Sequence, residues 1–394
     1  LLRVDVKVKG NQGTLILDSL KVRYNGTNVN DIAANGVHLY RTSDSIFIDQ
    51  ELIGTTSFVG NIAKFDLNDN LQAGVSFYWV SVDISSNATI NNYVILYLPA
   101  NGVRISSSTY PSSDILPSEH RKIVRTIFYD SFETDKSWNL SGDFERNQPS
   151  GKGGEHGNPD PGKAFSGSYL IGNDLTDDGD YEPNASMSIA TSPTINCKYY
   201  KNTYLQFKRW LNTDLSDNAS IQISNDNGYT WSTIYSSSSY IVDKNWYDLE
   251  YNISAYADRQ QNVKIRFTLG PTNGLWEFSG WNIDDFLVYG DTIIYDAAIS
   301  QYIQPVTGCG HTVSDSVKVK VKNLGSANTP PSIPIGYSFN NGNTYTYDTI
   351  KRNININDSL IFTFKTPVNL SNPGYYNVKI KINWPLDDYS ANDF

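Results

Sequence analysis

The chain has 394 residues, with 31 Lys and Arg against 41 Asp and Glu, a formal charge of −10 and a pI near 4.9. That balance argues against a nucleic-acid partner, which needs clustered Lys and Arg to neutralise phosphate, and equally against an anionic membrane surface. Charged residues make up only 18% while aromatics reach 13%, and Asn, Ser, Thr and Gly separate short apolar runs. This composition disfavours helical bundles and predicts an all-β chain of several domains, each long enough to bury its own core. The sequence shows no apolar span long enough to cross a bilayer and no signal peptide. It starts in mid-pattern at Leu1-Leu2-Arg3-Val4, which suggests a segment of a longer protein. Cys197 and Cys309 lie too far apart in sequence to form a disulfide framework and read as inert thiols, although spacing alone does not exclude a bridge between domains.

Residues 1–108 form the first unit. Val4, Val6 and Val8 alternate with Asp5, Lys7 and Lys9, the period-two pattern of a strand with unlike faces. Phe77-Tyr78-Trp79-Val80-Ser81-Val82-Asp83-Ile84 is the most apolar run and is predicted to be the central strand. The succession LLRVDV, SLKVRYNGTNVNDIAANGVHLYRTSDS and LQAGVSFYWVSVDIS resembles the non-catalytic β-sandwich domain that precedes sialidase repeats in bacterial glycosidases. No sialidase propeller follows, so sialidase activity is not implied. Residues 109–126, with Pro111 and Pro117 among Ser and Asp, predict a linker.

Residues 127–290 form the second unit, organised around YLQFKRWLNTDLSDNASIQISNDNGYTWSTIY at Tyr204–Tyr235. Leu205, Phe207, Arg209 and Leu211 share one strand face; Tyr204, Gln206, Lys208 and Trp210 share the other. Ser224, Asp226, Gly228, Thr230 and Trp231 match S-x-D-x-G-x-T-W, a hairpin turn in which Asp accepts turn N–H groups and Gly takes positive φ. The motif resembles the Asp-box of sialidase propellers, where it recurs at blade spacing. Only one copy is found, which implies a structural hairpin. The unit opens with Asp130-Ser131-Phe132-Glu133 and closes with Gly280-Trp281-Asn282-Ile283-Asp284-Asp285. With these ends it resembles the MAM-like jelly roll of secreted bacterial peptidases and the cleaved-adhesin modules of surface proteases.

Those two ends carry the main site expectation. Pairing of the first and last strands would gather Asp130, Glu133, Asp284 and Asp285, and packed carboxylates repel unless a proton or a cation intervenes. Hard oxygen ligands favour Ca²⁺, and the jelly-roll resemblance implies a structural Ca²⁺ there as well. The plainer alternative is that these acids cap turns and pair with Lys or Arg. The acidic run Asn173–Glu182 lacks EF-hand spacing and reads as a solvated loop. Trp246, Trp276 and Trp281 offer stacking faces for sugars, against the commoner fate of core packing.

Residues 291–394 form the third unit. V-K-V-K-V-K-N-L-G at Val317–Gly325 and later strands such as Ile361–Phe364 resemble the cell-adhesion-related immunoglobulin-like modules of bacterial surface proteins, and about seven short strands suit a sandwich. Asp-Ser or Asp-Thr before an aliphatic residue, as at Asp18-Ser19, Asp44-Ser45 and Asp315-Ser316, resembles the O-glycosylation signal of Bacteroidetes surface proteins.

Activated-nucleophile and metal-water signatures are missing: there is no G-x-S-x-G, no H-E-x-x-H and no zinc spacing. Glu119-His120 and Glu155-His156 lack a second ligand at metal spacing and read as polar loops. The expectation is three β-sandwiches outside a bacterial cell, of the Bacteroidetes type exported by type IX secretion. They would be non-catalytic, binding a glycan or surface protein or acting as a spacer. The alternative is the substrate-targeting region of a secreted peptidase or glycosidase whose catalytic domain lies elsewhere.

Overall fold

The computed structural model describes residues 2–10, 13–45, 47, 50–117 and 120–394, and Glu119 of the Glu119-His120 pair lies outside them. Among the described residues the strands form seven sheets, and the buried apolar side chains gather into three separate cores. The chain is all-β and sandwich-like. No described helix is long and apolar enough to cross a membrane.

In the N-terminal part, Leu2–Val8, Gly74–Ile84, Ile32–Thr42 and Glu51–Thr56 lie side by side in that order. The aromatic run is thus an interior strand. A second sheet runs from Ser108–Tyr110 through Val103–Ile105 and Leu15–Tyr24 to Ile62–Leu71. Alternation buries Val4 and Val6 against Leu17, Leu20, Leu39 and Tyr78. The expected linker is not a free tether. Ser108–Tyr110 pairs with Val103–Ile105, Arg121–Lys122 pairs with Tyr93–Val94, and Ile123 is buried. Of the Asp-Ser hydroxyls, Ser19 is buried, whereas Ser45 and Ser316 are exposed.

The middle part packs a seven-stranded sheet on a five-stranded one. Its longest strands, Tyr200–Thr213 and Gly280–Thr292, pair antiparallel at the centre of the larger sheet. Leu205, Phe207 and Leu211 point into the core with Trp281, Ile283 and Phe286. Trp281 is fully buried, packs on Phe207, Tyr235 and Phe267, and donates its Nε1–H to the Thr268 carbonyl at 3.0 Å. Thr126–Asp130 pairs antiparallel with Gly280–Thr292, so the first and last strands of this part are neighbours, as the sequence implied.

The Asp226 hairpin forms as expected. Asp226 accepts from Thr230 N–H and from the Thr230 hydroxyl, Ser224 Oγ accepts from Gly228 N–H, and Gly228 takes φ +95°. The Ser224 hydroxyl, donating to Asp226 Oδ1 at 2.6 Å, and then the two Thr230 donors hold the Asp226 carboxyl down at about 2. A second copy was missed. At Ser338–Tyr345 the same turn is built with Asn340 in place of Asp. Ser338 Oγ accepts from Gly342 N–H, Asn340 Oδ1 accepts from Thr344 N–H, and Gly342 has φ +86°. Even the cation on the following aromatic is kept: Arg266 lies 4.1 Å from the Trp231 ring and Lys381 4.1 Å from Tyr345. A search for Asp at the second position of the motif passes over the Asn version.

The C-terminal part packs Ala297–Gln304, Lys318–Asn323 and Ser359–Thr363 against Thr346–Ile350, Ile333–Ser338 and Lys379–Ile382. It joins the middle part through Arg259. The Arg259 guanidinium is 3.2 Å from the fully buried Asp296 carboxylate and 4.4 Å over the Tyr389 ring. Removing it leaves the buried carboxylate without its counter-charge, held only by the Asn392 amide at 3.0 Å. Arg259→Ala is therefore expected to cost about 2–3 kcal/mol, read as a lower unfolding midpoint for the third core. An unchanged midpoint would show that the pair contributes nothing.

Candidate functional site

The outward face of the large sheet is not bare. Antiparallel register sets Lys208 opposite Asp284 and Trp210 opposite Asn282 on that face. The segment 148–169 crosses over them as a strap. Gly151, Gly153, Gly154 and Gly157 all take positive φ along it, which lets the backbone lie close to the sheet. The Trp210 indole donates to the Pro159 carbonyl at 3.0 Å, Asn158 N–H to Asn212 Oδ1 at 3.0 Å, and Ser166 N–H to Asp284 Oδ2 at 3.0 Å.

This strap decides the fate of the four expected ligands. Asp284 is fully buried and accepts from the backbone N–H groups of Ser166 and Asp285. Asp285 Oδ1 accepts from the Tyr129 and Ser166 hydroxyls, both at 2.7 Å. Glu133 Oε1 accepts from Ser168 and Tyr169 N–H, both at 2.8 Å. Glu133, Asp284 and Asp285 thus meet one stretch of the strap, 166–169. Asp130 turns elsewhere, accepting from Phe132 N–H and the Trp138 indole at 2.9 Å each. Among the described residues no three Asp, Glu, His or Cys side chains are grouped to hold a metal ion. Burial, with Asp285 alongside, pushes the Asp284 carboxyl up to about 8.

A second buried carboxyl had no signal in the sequence beyond its place in Pro159-Asp160-Pro161. Asp160 of the strap is buried against the sheet and accepts from the Asn282 amide at 2.6 Å. Its other oxygen and Asn282 Oδ1 are buried and have no donor. Burial, reinforced by Asp180, Asp174 and Glu145, raises Asp160 to about 8. A protonated carboxyl needs no counter-charge here and brings a donor of its own.

The acidic run 173–182 is more than a solvated loop. Asp177 and Asp178 are exposed, but Asp180 accepts from Gly154 and Glu155 N–H of the strap at 2.8 and 2.9 Å. Asp174 accepts from Gly179 N–H at 3.2 Å, and burial lifts its carboxyl to about 6.

The three tryptophans separate clearly. Trp281 is core. Trp246 is half-buried, with Trp210 and Phe165 edge-on at 5.9 and 6.2 Å. Trp276 stands at the loop end of the sandwich with 45% of its surface exposed, beside Leu275 at 75% and near Tyr240 at 60%. His156 of the strap meets its ring edge-on at 4.4 Å, and His156 and Tyr240 both lie against Phe278. The backbone bond from Tyr181 N–H to the Phe278 carbonyl, 2.9 Å, holds the acidic run against this end. Neither His156 nor Tyr240 was foreseen, because the fold brings them to Trp276 from distant segments. Both cysteines are free: Cys197 is buried, its thiol pushed up to about 12, and Cys309 is exposed.

No protein-family profile matches the chain, and no curated protein matches it. Solved structures do. The carbohydrate-binding module TmCBM61, in complex with β-1,4-galactotriose, is 13% identical over 40% of this chain and 90% of that one, with a TM-score of 0.26. The K2 cleaved adhesin domain of Lys-gingipain is 10% identical over 42% and 97%, at 0.27. The glycoside hydrolase domain of Endo-D from Streptococcus pneumoniae R6 is 9% identical over 63% and 34%, at 0.25. Scores this low carry no argument, and the reading below rests on the chain's own residues.

Proposed function

We propose that this chain is a non-catalytic recognition segment of an extracellular or cell-surface protein, binding a glycan or protein partner at the loop end of its middle sandwich. The observation that supports it is Trp276, exposed with Leu275 and Tyr240 on a rim that strap and sheet hold in place. An aromatic left this open costs solvation and gains only on contact with a ligand face. The sandwiches on either side would set this face away from whatever the chain is attached to.

A structural Ca²⁺ belongs to the same proposal. Glu133, Asp284 and Asp285 would hold it where they meet the strap, and the fully buried Asp284, which makes no ion pair among the described residues, fits a cation as readily as a proton. The ion would supply the positive charge that segment 166–169 lacks.

The test is binding of the whole chain and of Trp276→Ala to a broad glycan and peptide display with calcium present. At least one ligand should be held by the parent and lost by the variant. Ligands held equally by both would remove Trp276 from the site.

A further inference from the structure

The rim around Trp276 is acidic. Glu155, Asp178 and Glu182 are exposed, Glu277 is half-exposed, and Asp180 lies among them. Burial first, and then the charges of Glu155, Asp178, Glu182 and Asp180, raise the Glu277 carboxyl, which places the five in one field. Among the described residues none of the five makes an ion pair. The nearby Lys152, whose ammonium donates to the Thr176 and Asp177 carbonyls at 2.8 and 2.6 Å, sets a single positive charge against these five acids.

Four partly exposed aromatics carry a cation over the ring, while Tyr110, Tyr229, Tyr240 and Tyr375 are more exposed than Trp276 and, among the described residues, carry none. Arg266 covers Trp231, Lys381 covers Tyr345, Lys208 covers Phe165 and Arg146 covers Tyr169, each with the cation 4.1 to 4.5 Å from the ring centre. Trp276 is more exposed than Trp231 and, among the described residues, has no such cation. An exposed indole whose ring neighbour is the His156 imidazole, set among carboxylates without ion-pair partners, suits a cationic side chain, which gains from the ring face and the surrounding charge together. An anionic sugar would meet repulsion there.

We propose that the Trp276 face docks a lysine- or arginine-bearing peptide segment, seating its cation on the indole with Glu155, Glu182 and Glu277 around it. This rests on the reading of that face as the recognition surface and adds the chemical class of its ligand.

The experiment titrates the whole chain with short labelled arginine- and lysine-rich peptides, with the same peptides carrying acetylated lysine or citrulline, with a neutral galacto-oligosaccharide, and with a deacetylated chitosan oligomer. The cationic peptides should bind and the neutralised ones should not. Affinity should fall about tenfold or more between low salt and ~0.5 M salt. It should fall comparably in Trp276→Ala and in the Glu155→Gln, Glu277→Gln double variant, whose surface changes leave the core intact. Binding of the neutral oligosaccharide alone, lost in Trp276→Ala, would keep the recognition face and overturn the cationic ligand. Binding of chitosan without the peptides would overturn the peptide. Binding of none of them, or binding indifferent to Trp276→Ala, would overturn both the ligand class and the face.

Discussion

Trp281→Ala should destabilise the middle sandwich by about 3–5 kcal/mol, the cost of removing a large, fully buried aromatic and leaving a cavity. Trp281 is the point where the two sheets meet: it comes from the longest strand pair and touches Phe207, Tyr235 and Phe267. Its indole also satisfies the Thr268 carbonyl, which the substitution leaves without that donor. The unfolding midpoint should fall on the order of 10 °C, while Trp276→Ala, five residues away and exposed, should change it little. Similar midpoints for the two variants would mean that Trp281 is not the keystone of this core.

The second large effect is on pH. Asp160 and Asp284 have native carboxyls raised to about 8, against about 4 in an unfolded chain. Between those values the native state holds protons that the unfolded state has lost, so stability falls as pH rises and levels off above about 8. Each unit is worth about 1.4 kcal/mol per group, so raising the pH from about 6 to 9 without divalent cations should cost a few kcal/mol. Asp160→Asn keeps an acceptor for the Asn282 amide and removes the titration, so it should flatten the profile; Asp284→Asn should do likewise. Calcium separates the two ways of neutralising Asp284. If the ion binds there, millimolar Ca²⁺ restores the lost stability at high pH, and Asp284→Asn abolishes that rescue. A profile unmoved by calcium leaves the proton as the sole partner. A profile flat from the start would contradict the burial of both carboxyls.

The fold was legible where the pattern was local. Period-two alternation placed Val4 and Val6, Leu205 and Phe207, and the Lys318–Asn323 strand correctly, because strand burial is written into neighbouring residues. The pairing of first and last strands also followed from the jelly-roll ends. The site was less legible. Nothing in Asn147–Tyr169 alternates, so the strap had no signature, and with it went Asp160, His156 and the cradle made by Asp180. Asp130 and Glu133 are close in sequence, yet their carboxylates serve different donors, because side-chain direction is set by the turn at Phe132, which takes φ +59°. Asn340 escaped because the motif was sought with a carboxylate where an amide oxygen accepts the same N–H.

The central claim is that the loop end around Trp276 is where this chain meets its partner. Hydrogen exchange on the whole chain, free and saturated with whichever ligand it retains, tests that claim most directly. The account predicts slowed exchange confined to 154–157, 178–185, 239–241 and 273–278, the four segments that build the rim. Protection instead on the outer sheet face near Trp210 and Trp246, or in the first or third sandwich, would contradict it.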